Sequence, residues 1–469
     1  MVTSAGIMRL TVLIAAMILS GCSAVGPAAE QLYPAHAASD ERVPVILIPG
    51  LLGSRLKRAA DGVELWPGGT RKLLTSDYAE LALRIDPATL EPLDDGLVPG
   101  DIFEGAAGKD FYRRLMRELR EAGGYQLISP GRPVVQQRAR LYVFTYDWRQ
   151  DIVKTVGKLD ELIEQIRRDY GDPYLRVDVV AHSMGGVVVR YFERYGAVDV
   201  LDGNSFPVTG LGLSKLRRVV LLGTPNQGTV TAVHKFLNGY RVGISALPTE
   251  GVATMPSTFQ LFPHPLVDWV VNINGKRLSF DIFDTEFWRR YEWSIFDHRI
   301  QRRMDQHREV WPQQDVFERW FEKRLARGRR FAWSLMVPAG AVPLVKPLLL
   351  GADCVPTPRR LVFESIGGES IARLRPEQIL VPSPGVDYEA LMFAPGDGSV
   401  TLSSLLSRQD MSRAVPVHEQ EGLEPGRELI VCARHDALTS DDALLDALIE
   451  HLLAPEAQPA PEAPATYEQ

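Results

Sequence analysis

One stretch constrains the fold of this chain more than any other. An apolar strand pattern, Val177-Asp178-Val179-Val180, runs into Ala181-His182-Ser183-Met184-Gly185-Gly186 and then into a helical pattern ending near Tyr195. A serine at the apex of a strand-to-helix turn needs small residues two before and two after it, or strand and helix collide. Those positions hold Ala181 and Gly185. Glycine is commoner at the first of them, and a methyl group is about the largest addition it tolerates. A bare Ser-x-Gly recurs by chance, but the strand before this one and the helix after it single it out. Ser183 is therefore a candidate nucleophile. The competing reading, a serine that merely caps the helix, requires all of this context to be accidental.

The flanking sequence repeats the same alternation. Val43 to Ile48 is an apolar run suited to a strand buried on both faces. It ends in Pro49-Gly50-Leu51-Leu52-Gly53-Ser54. Residues 56–108 are rich in turns and charges and show no strong period. A helix follows over 110–122, with Phe111, Leu115 and Leu119 on one face and Gly123-Gly124 as its stop. A second strand is expected over 141–146, a helix over 151–170, the Ser183 strand, and a further strand over 219–222 that ends in Gly223-Thr224-Pro225-Asn226-Gln227-Gly228. Strands alternating with helices imply an α/β architecture with a mostly parallel sheet flanked by helices. The rhythm stops after Gly228 and is expected to resume at Leu361-Val362-Phe363-Glu364-Ser365-Ile366-Gly367. A last strand over 428–433 precedes a helix from about Ser440 to Leu453. The chain thus divides into a core over 42–228, a largely helical cap or lid insertion over 229–340, and the rest of the core over 341–454. The Ala/Pro/Glu-rich tail, 455–469, reads as disordered.

The N-terminus reads as a secretion signal over residues 1–21. Arg9 precedes a short apolar run, too short to span a membrane as a mature helix. Leu19-Ser20-Gly21-Cys22 resembles a bacterial lipobox, which makes Cys22 the acylated first residue of the mature chain and 22–41 a tether. An ordinary cleaved signal is the alternative. The expected location is the cell envelope, lipid-anchored and facing the periplasm or the cell surface. A disulfide is permitted there, and Cys354 and Cys432 either form one or stay free, Cys432 lying in an expected core strand. No His, Cys and acid spacing suggests a metal site. The net charge of −7 offers no basic field for nucleic acid.

A nucleophilic serine needs a base and a carboxylate that orients it, in the chain order Ser, acid, His. His435 directly follows the last strand, where the carboxyl edge of a sheet would present it. His418, in a polar loop, is the rival, and His451 sits within a helix. Asp397, bracketed by Gly396 and Gly398, and Asp353, after Leu350-Gly351-Ala352, are both candidates for the acid. An oxyanion hole would draw one backbone N–H from Met184 and another from the loop after the first strand, at Leu51.

Taken together, these pieces resemble the lecithin:cholesterol acyltransferase and lysosomal phospholipase family of α/β-hydrolases. The motifs in order are Ile48-Pro49-Gly50-Leu51-Leu52-Gly53-Ser54, Tyr146-Asp147-Trp148-Arg149, Ala181-His182-Ser183-Met184-Gly185-Gly186, Gly396-Asp397-Gly398-Ser399-Val400 and the late His435. The resemblance implies a triad of Ser183, Asp397 and His435, acyl-ester chemistry on lipids, and no cofactor. Residues 229–339 show no motif that aligns with the family. Of its membrane-binding subdomain, residues 55–110 offer only the aromatic of Leu65-Trp66-Pro67. Asp147 and Arg149, two apart at a strand end, read as a local ion pair holding loops rather than as catalytic groups.

The insertion holds six of the eight tryptophans and is arginine-rich between Arg299 and Arg330. Over 315–333, Phe317, Trp320, Phe321 and Leu325 share a helix face, with Arg319, Lys323, Arg324 and Arg327 between them. Such a helix can lie in a membrane interface or pack a core behind a solvated face. The expected insertion is a cap covering the site. The expected activity is hydrolysis of a lipid ester or acyl transfer to an alcohol, and the same residues serve both. A non-lipid or polymeric ester, a peptide substrate, and a non-enzymatic lipid-binding role are the other readings.

Overall fold

The computed structural model describes residues 43–106, 108–134, 139–242, 245–407 and 426–455. Cys22, the tether, the rival His418 and residues 456–469 lie outside them. At the centre is a sheet of seven strands: β1 (Val45–Ile48), β2 (Gln126–Leu127), β3 (Arg140–Val143), β4 (Val177–His182), β5 (Leu216–Leu222), β6 (Leu348–Ala352) and β7 (Arg427–Val431). They lie in the order β7-β6-β5-β4-β1-β3-β2, and every neighbouring pair is parallel.

The apolar run of β1 shows why the sheet sits at the centre. Ile46 and Ile48 enter one hydrophobic layer, Val45 and Leu47 the other, and all four are fully buried. The period-two geometry of a strand sends alternate residues to opposite faces, so an unbroken apolar strand demands cover on both. Helices α2 (Ile152–Tyr170) and α3 (Met184–Tyr195) cover the first face. Helices α1 (Arg113–Glu121) and α5 (Asp442–Leu453) cover the second. Asp178, buried within β4, is tolerated there because Arg217 of β5 pairs with it through Nε at 2.8 Å.

The sheet is rejoined at a different place from the one the sequence suggests. Leu361–Ile366 is a strand, but it pairs in parallel with Val270–Asn272 of the insertion and antiparallel with Glu369–Arg373, in a separate three-stranded sheet. The strand that returns to the central sheet is β6, fully buried and beside β5. An apolar run specifies burial, not which partner buries it.

The insertion is mostly helical, with α4 (Gln314–Ser334) as its longest element. Its aromatic residues pack inward. Trp288, Phe317, Trp320 and Phe321 are fully buried, and Phe236, Phe259, Phe262, Trp288 and Phe321 interlock edge to face. This cluster is continuous with the layer over α2 and α3. The basic face of α4 is ion-paired: Arg324 and Lys323 meet Glu91, and Arg327 meets Asp151 and Asp199. Burial would raise the Glu91 carboxyl, but the two cations outweigh it and bring it down to about 2. The aromatic face of α4 is thus a core face, not an interfacial one. Among the described residues, no helix is long and apolar enough to cross a membrane.

Candidate active site

Ser183 stands where β4 turns into α3, at φ 54° and ψ −123°. A non-glycine residue at positive φ is strained, and the strain holds its side chain above the sheet edge. Gly185 shows how tight the turn is: a Cβ there would lie 2.6 Å from the Ile48 carbonyl and 2.7 Å from that of Pro49. The elbow therefore packs directly on the loop after β1.

Three of the residues named from sequence come together here. His435 Nε2 lies 2.9 Å from Ser183 Oγ, and His435 Nδ1 lies 2.7 Å from Asp397 Oδ2. The second carboxylate oxygen of Asp397 accepts the amides of Ser399 at 2.8 Å and Val400 at 2.7 Å. Gly398 makes that loop possible at φ 90°, which seats the following amides against the carboxylate. The His435 amide also donates to the Asp397 carbonyl at 2.8 Å, so acid and base are tied through backbone as well as side chain. Burial alone would raise the Asp397 carboxyl, but His435 and the two amides hold it below its ordinary range. Burial would lower His435, and the Asp397 charge outweighs that and raises it. Asp353, the other candidate acid, is exposed.

A disulfide between Cys354 and Cys432 braces the same corner. Cys354 follows β6, one residue before Val355, which pairs with the Asp397 loop. Cys432 follows β7, three residues before His435.

The loop carrying Leu51 is held from several sides. Tyr146 Oη donates to the Pro49 carbonyl at 2.7 Å, Trp148 Nε1 to Ser54 at 3.0 Å, and Trp66 Nε1 to Leu52 at 2.8 Å. Arg149, fully buried, bridges Asp147 at 2.7 Å and Asp95 at 2.6 Å. The Tyr-Asp-Trp-Arg motif is thus a scaffold for the loop after β1. Among the described residues, neither the Leu51 nor the Met184 amide has a protein acceptor.

Ser183 and His435 open into a cavity of about 600 Å³. Its walls are apolar: Leu51, Leu52, Trp66, Leu73, Leu74, Phe103 and Phe111. Lys109, paired with Asp436, and Arg241 bring charge to it. Among the described residues, Arg241 is all that the insertion contributes. Among the described residues, most of the lining comes from the segment 51–112. Sequence reasoning missed Trp66 and Phe103 as site residues because they are scattered through a stretch without period, and Tyr112 because it sits at the start of an expected helix. No three His, Cys, Asp or Glu side chains gather as metal ligands among the described residues.

A parallel sheet with a serine elbow at β4 and a histidine after its last strand is the α/β-hydrolase fold. Residues 135–327 match the family model described as lecithin:cholesterol acyltransferase. The match takes in Tyr146 to Arg149, the elbow and most of the insertion, and stops before Asp397 and His435. A chain of the Tle4–Tli4 complex is similar in structure, with a TM-score of 0.52 at 16% identity, over 88% of this chain and 98% of that one. EstA from Clostridium botulinum gives a TM-score of 0.34 at 13% identity, over 88% of this chain and 86% of that one. Lipase 1 from Pelosinus fermentans gives 0.34 at 13% identity, over 89% and 100%. No curated protein matches the sequence. The family match supports an ester hydrolase or acyltransferase.

Proposed function

We propose that the protein is a serine hydrolase or O-acyltransferase acting on lipid esters. The observation that carries this is the hydrogen-bonded run Ser183–His435–Asp397, whose serine and histidine line a largely apolar cavity of about 600 Å³. His435 takes the Ser183 proton as Oγ attacks the ester carbonyl, and then gives it to the departing alcohol as the ester C–O bond breaks and the acyl-enzyme forms. The Leu51 and Met184 amides receive the oxyanion, and Asp397 stabilises the imidazolium. The acyl-enzyme is then opened by water or by an acceptor alcohol, with His435 removing the proton of either one. The lipobox-like Leu19-Ser20-Gly21-Cys22 supports anchoring through Cys22 at the cell envelope, which would hold the enzyme at its substrate.

The test is acyl release from radiolabelled phospholipid and triacylglycerol, with and without a sterol or long-chain alcohol. Ser183→Ala should lose about 10⁴-fold or more. New ester on the added alcohol identifies a transferase. Wild type no faster than Ser183→Ala on every lipid and simple ester refutes the reading.

A further inference from the structure

We propose that Tyr112 and His182 are positioning residues for this reaction, joining the oxyanion loop to the base loop through one directed hydrogen-bond chain. The proposal rests on the function proposed above. The Gly50 amide donates to Tyr112 Oη at 2.8 Å. Tyr112 Oη lies 2.8 Å from His182 Nδ1, and His182 Nε2 lies 3.3 Å from the His435 carbonyl. An amide N–H can only donate and a carbonyl can only accept, so both ends of the chain are fixed. One proton order satisfies every member. Tyr112 donates to Nδ1, and His182 carries its ring proton on Nε2 and donates it to His435. A neutral His182 is required for this. Burial, helped by the neighbouring His435, pushes its pKa down to about 3.

The near end of the chain meets the oxyanion loop at one peptide group. The Pro49 carbonyl accepts from Tyr146, and the Gly50 N–H of the same peptide donates to Tyr112. Two tyrosines thus pin one peptide plane from opposite sides. The next peptide carries the Leu51 N–H. At the far end, the His435 carbonyl belongs to the residue whose ring faces Ser183. Gly50 permits the contact, since a Cβ there would lie 2.8 Å from Ser183 Cβ. Donor and base are therefore set against the serine by a shared network, whose Tyr112 and His182 lie in the cavity wall beside Ser183.

The experiment uses the full chain, a fluorophosphonate label for Ser183 and a short-chain chromogenic ester. Tyr112→Phe removes one oxygen and should lower kcat by about 10–100-fold, the scale of misplaced catalytic groups, with KM within about threefold. His182→Leu should do the same. His182→Gln can still accept from Tyr112 and donate to His435, and should recover most of the His182→Leu loss. A packing role alone would favour leucine over glutamine. Thermal melts identify any variant that fails to fold, and the Gln–Leu pair then decides. Tyr112→Phe within twofold of wild type, or His182→Gln no better than His182→Leu, overturns the proposal while wild type remains active. A wild type that neither labels nor turns over the ester refutes the underlying function instead.

Discussion

Two regions meet the cavity above Ser183 very unequally, and their compositions do not foretell which supplies most of its wall. The insertion over 229–340 is aromatic and basic, the composition of a lid that touches lipid. In the structure it buries its aromatic face in the main core and pairs its cations with carboxylates. The segment over 51–112 is mostly rich in turns and charges and without strong period, yet it supplies most of the described lining of the cavity above Ser183. Composition reports what a segment must bury or solvate. It does not report where the chain before and after will deliver it.

The contrast can be broken or sharpened by substitution. The largest effect belongs to the corner that neither region supplies. Asp397→Asn should lower kcat by about 10⁴-fold. It should also move the acid limb of the kcat/KM profile. His435 must be neutral to accept the Ser183 proton, and Asp397 raises its pKa, so in wild type activity is lost as pH falls through a value above about 6.5. Without the carboxylate that limb should shift to lower pH, and an unmoved limb would refute the pairing.

Trp320→Ala comes next and tests the insertion as core. The residue is fully buried, and its indole donates to the Ala253 carbonyl at 2.9 Å. It should cost about 3–5 kcal/mol in urea unfolding. The kcat per fluorophosphonate-titrated site should stay within about twofold, and a selective loss of long-chain turnover would return the insertion to the role of lid. Replacing Cys354 and Cys432 by serine should cost roughly 2–4 kcal/mol. If the bridge also braces the acid and base loops, kcat should fall in the same variant.

Leu74→Ser probes the other side. Leu74 is 51% exposed and lines the cavity, so stability should change by about 0.5 kcal/mol or less. KM for long-chain esters should rise several-fold, and an unchanged KM would take the 51–112 segment out of substrate binding. The smallest effect is expected from Arg319→Glu on the exposed side of α4. Its pair with Asp315 spans 3.7 Å at the surface, where such pairs contribute about 0–1 kcal/mol. Vesicle co-sedimentation should not change. A clear loss would show that α4 meets lipid after all.

Much of the site is legible in the sequence because its parts are local. The elbow needs Ala181 and Gly185 beside Ser183, and the acid loop needs glycine beside Asp397. Both are short-range steric demands that leave a mark on adjacent letters. The Tyr146 to Arg149 motif is visible too, and so is the Asp147–Arg149 pair, but not its other partners. Only the fold shows Tyr146 on the Pro49 carbonyl and Arg149 between Asp147 and Asp95. Leu361–Ile366 illustrates the limit. Its apolar run is a strand, as the pattern predicts, yet its partners are Val270–Asn272 and Glu369–Arg373 rather than the central sheet.

By itself, then, the sequence determined the alternation of strands and helices, the strained serine turn, and the chain order of candidate nucleophile, acid and base. Each follows from sterics or periodicity within a few residues. The tertiary structure decided which segment walls the cavity, which strand rejoins the sheet, and how Tyr112 and His182 link Gly50 to His435. Those outcomes depend on contacts between residues tens to hundreds of positions apart. Burial and hydrogen-bond satisfaction select among partners that no local pattern distinguishes.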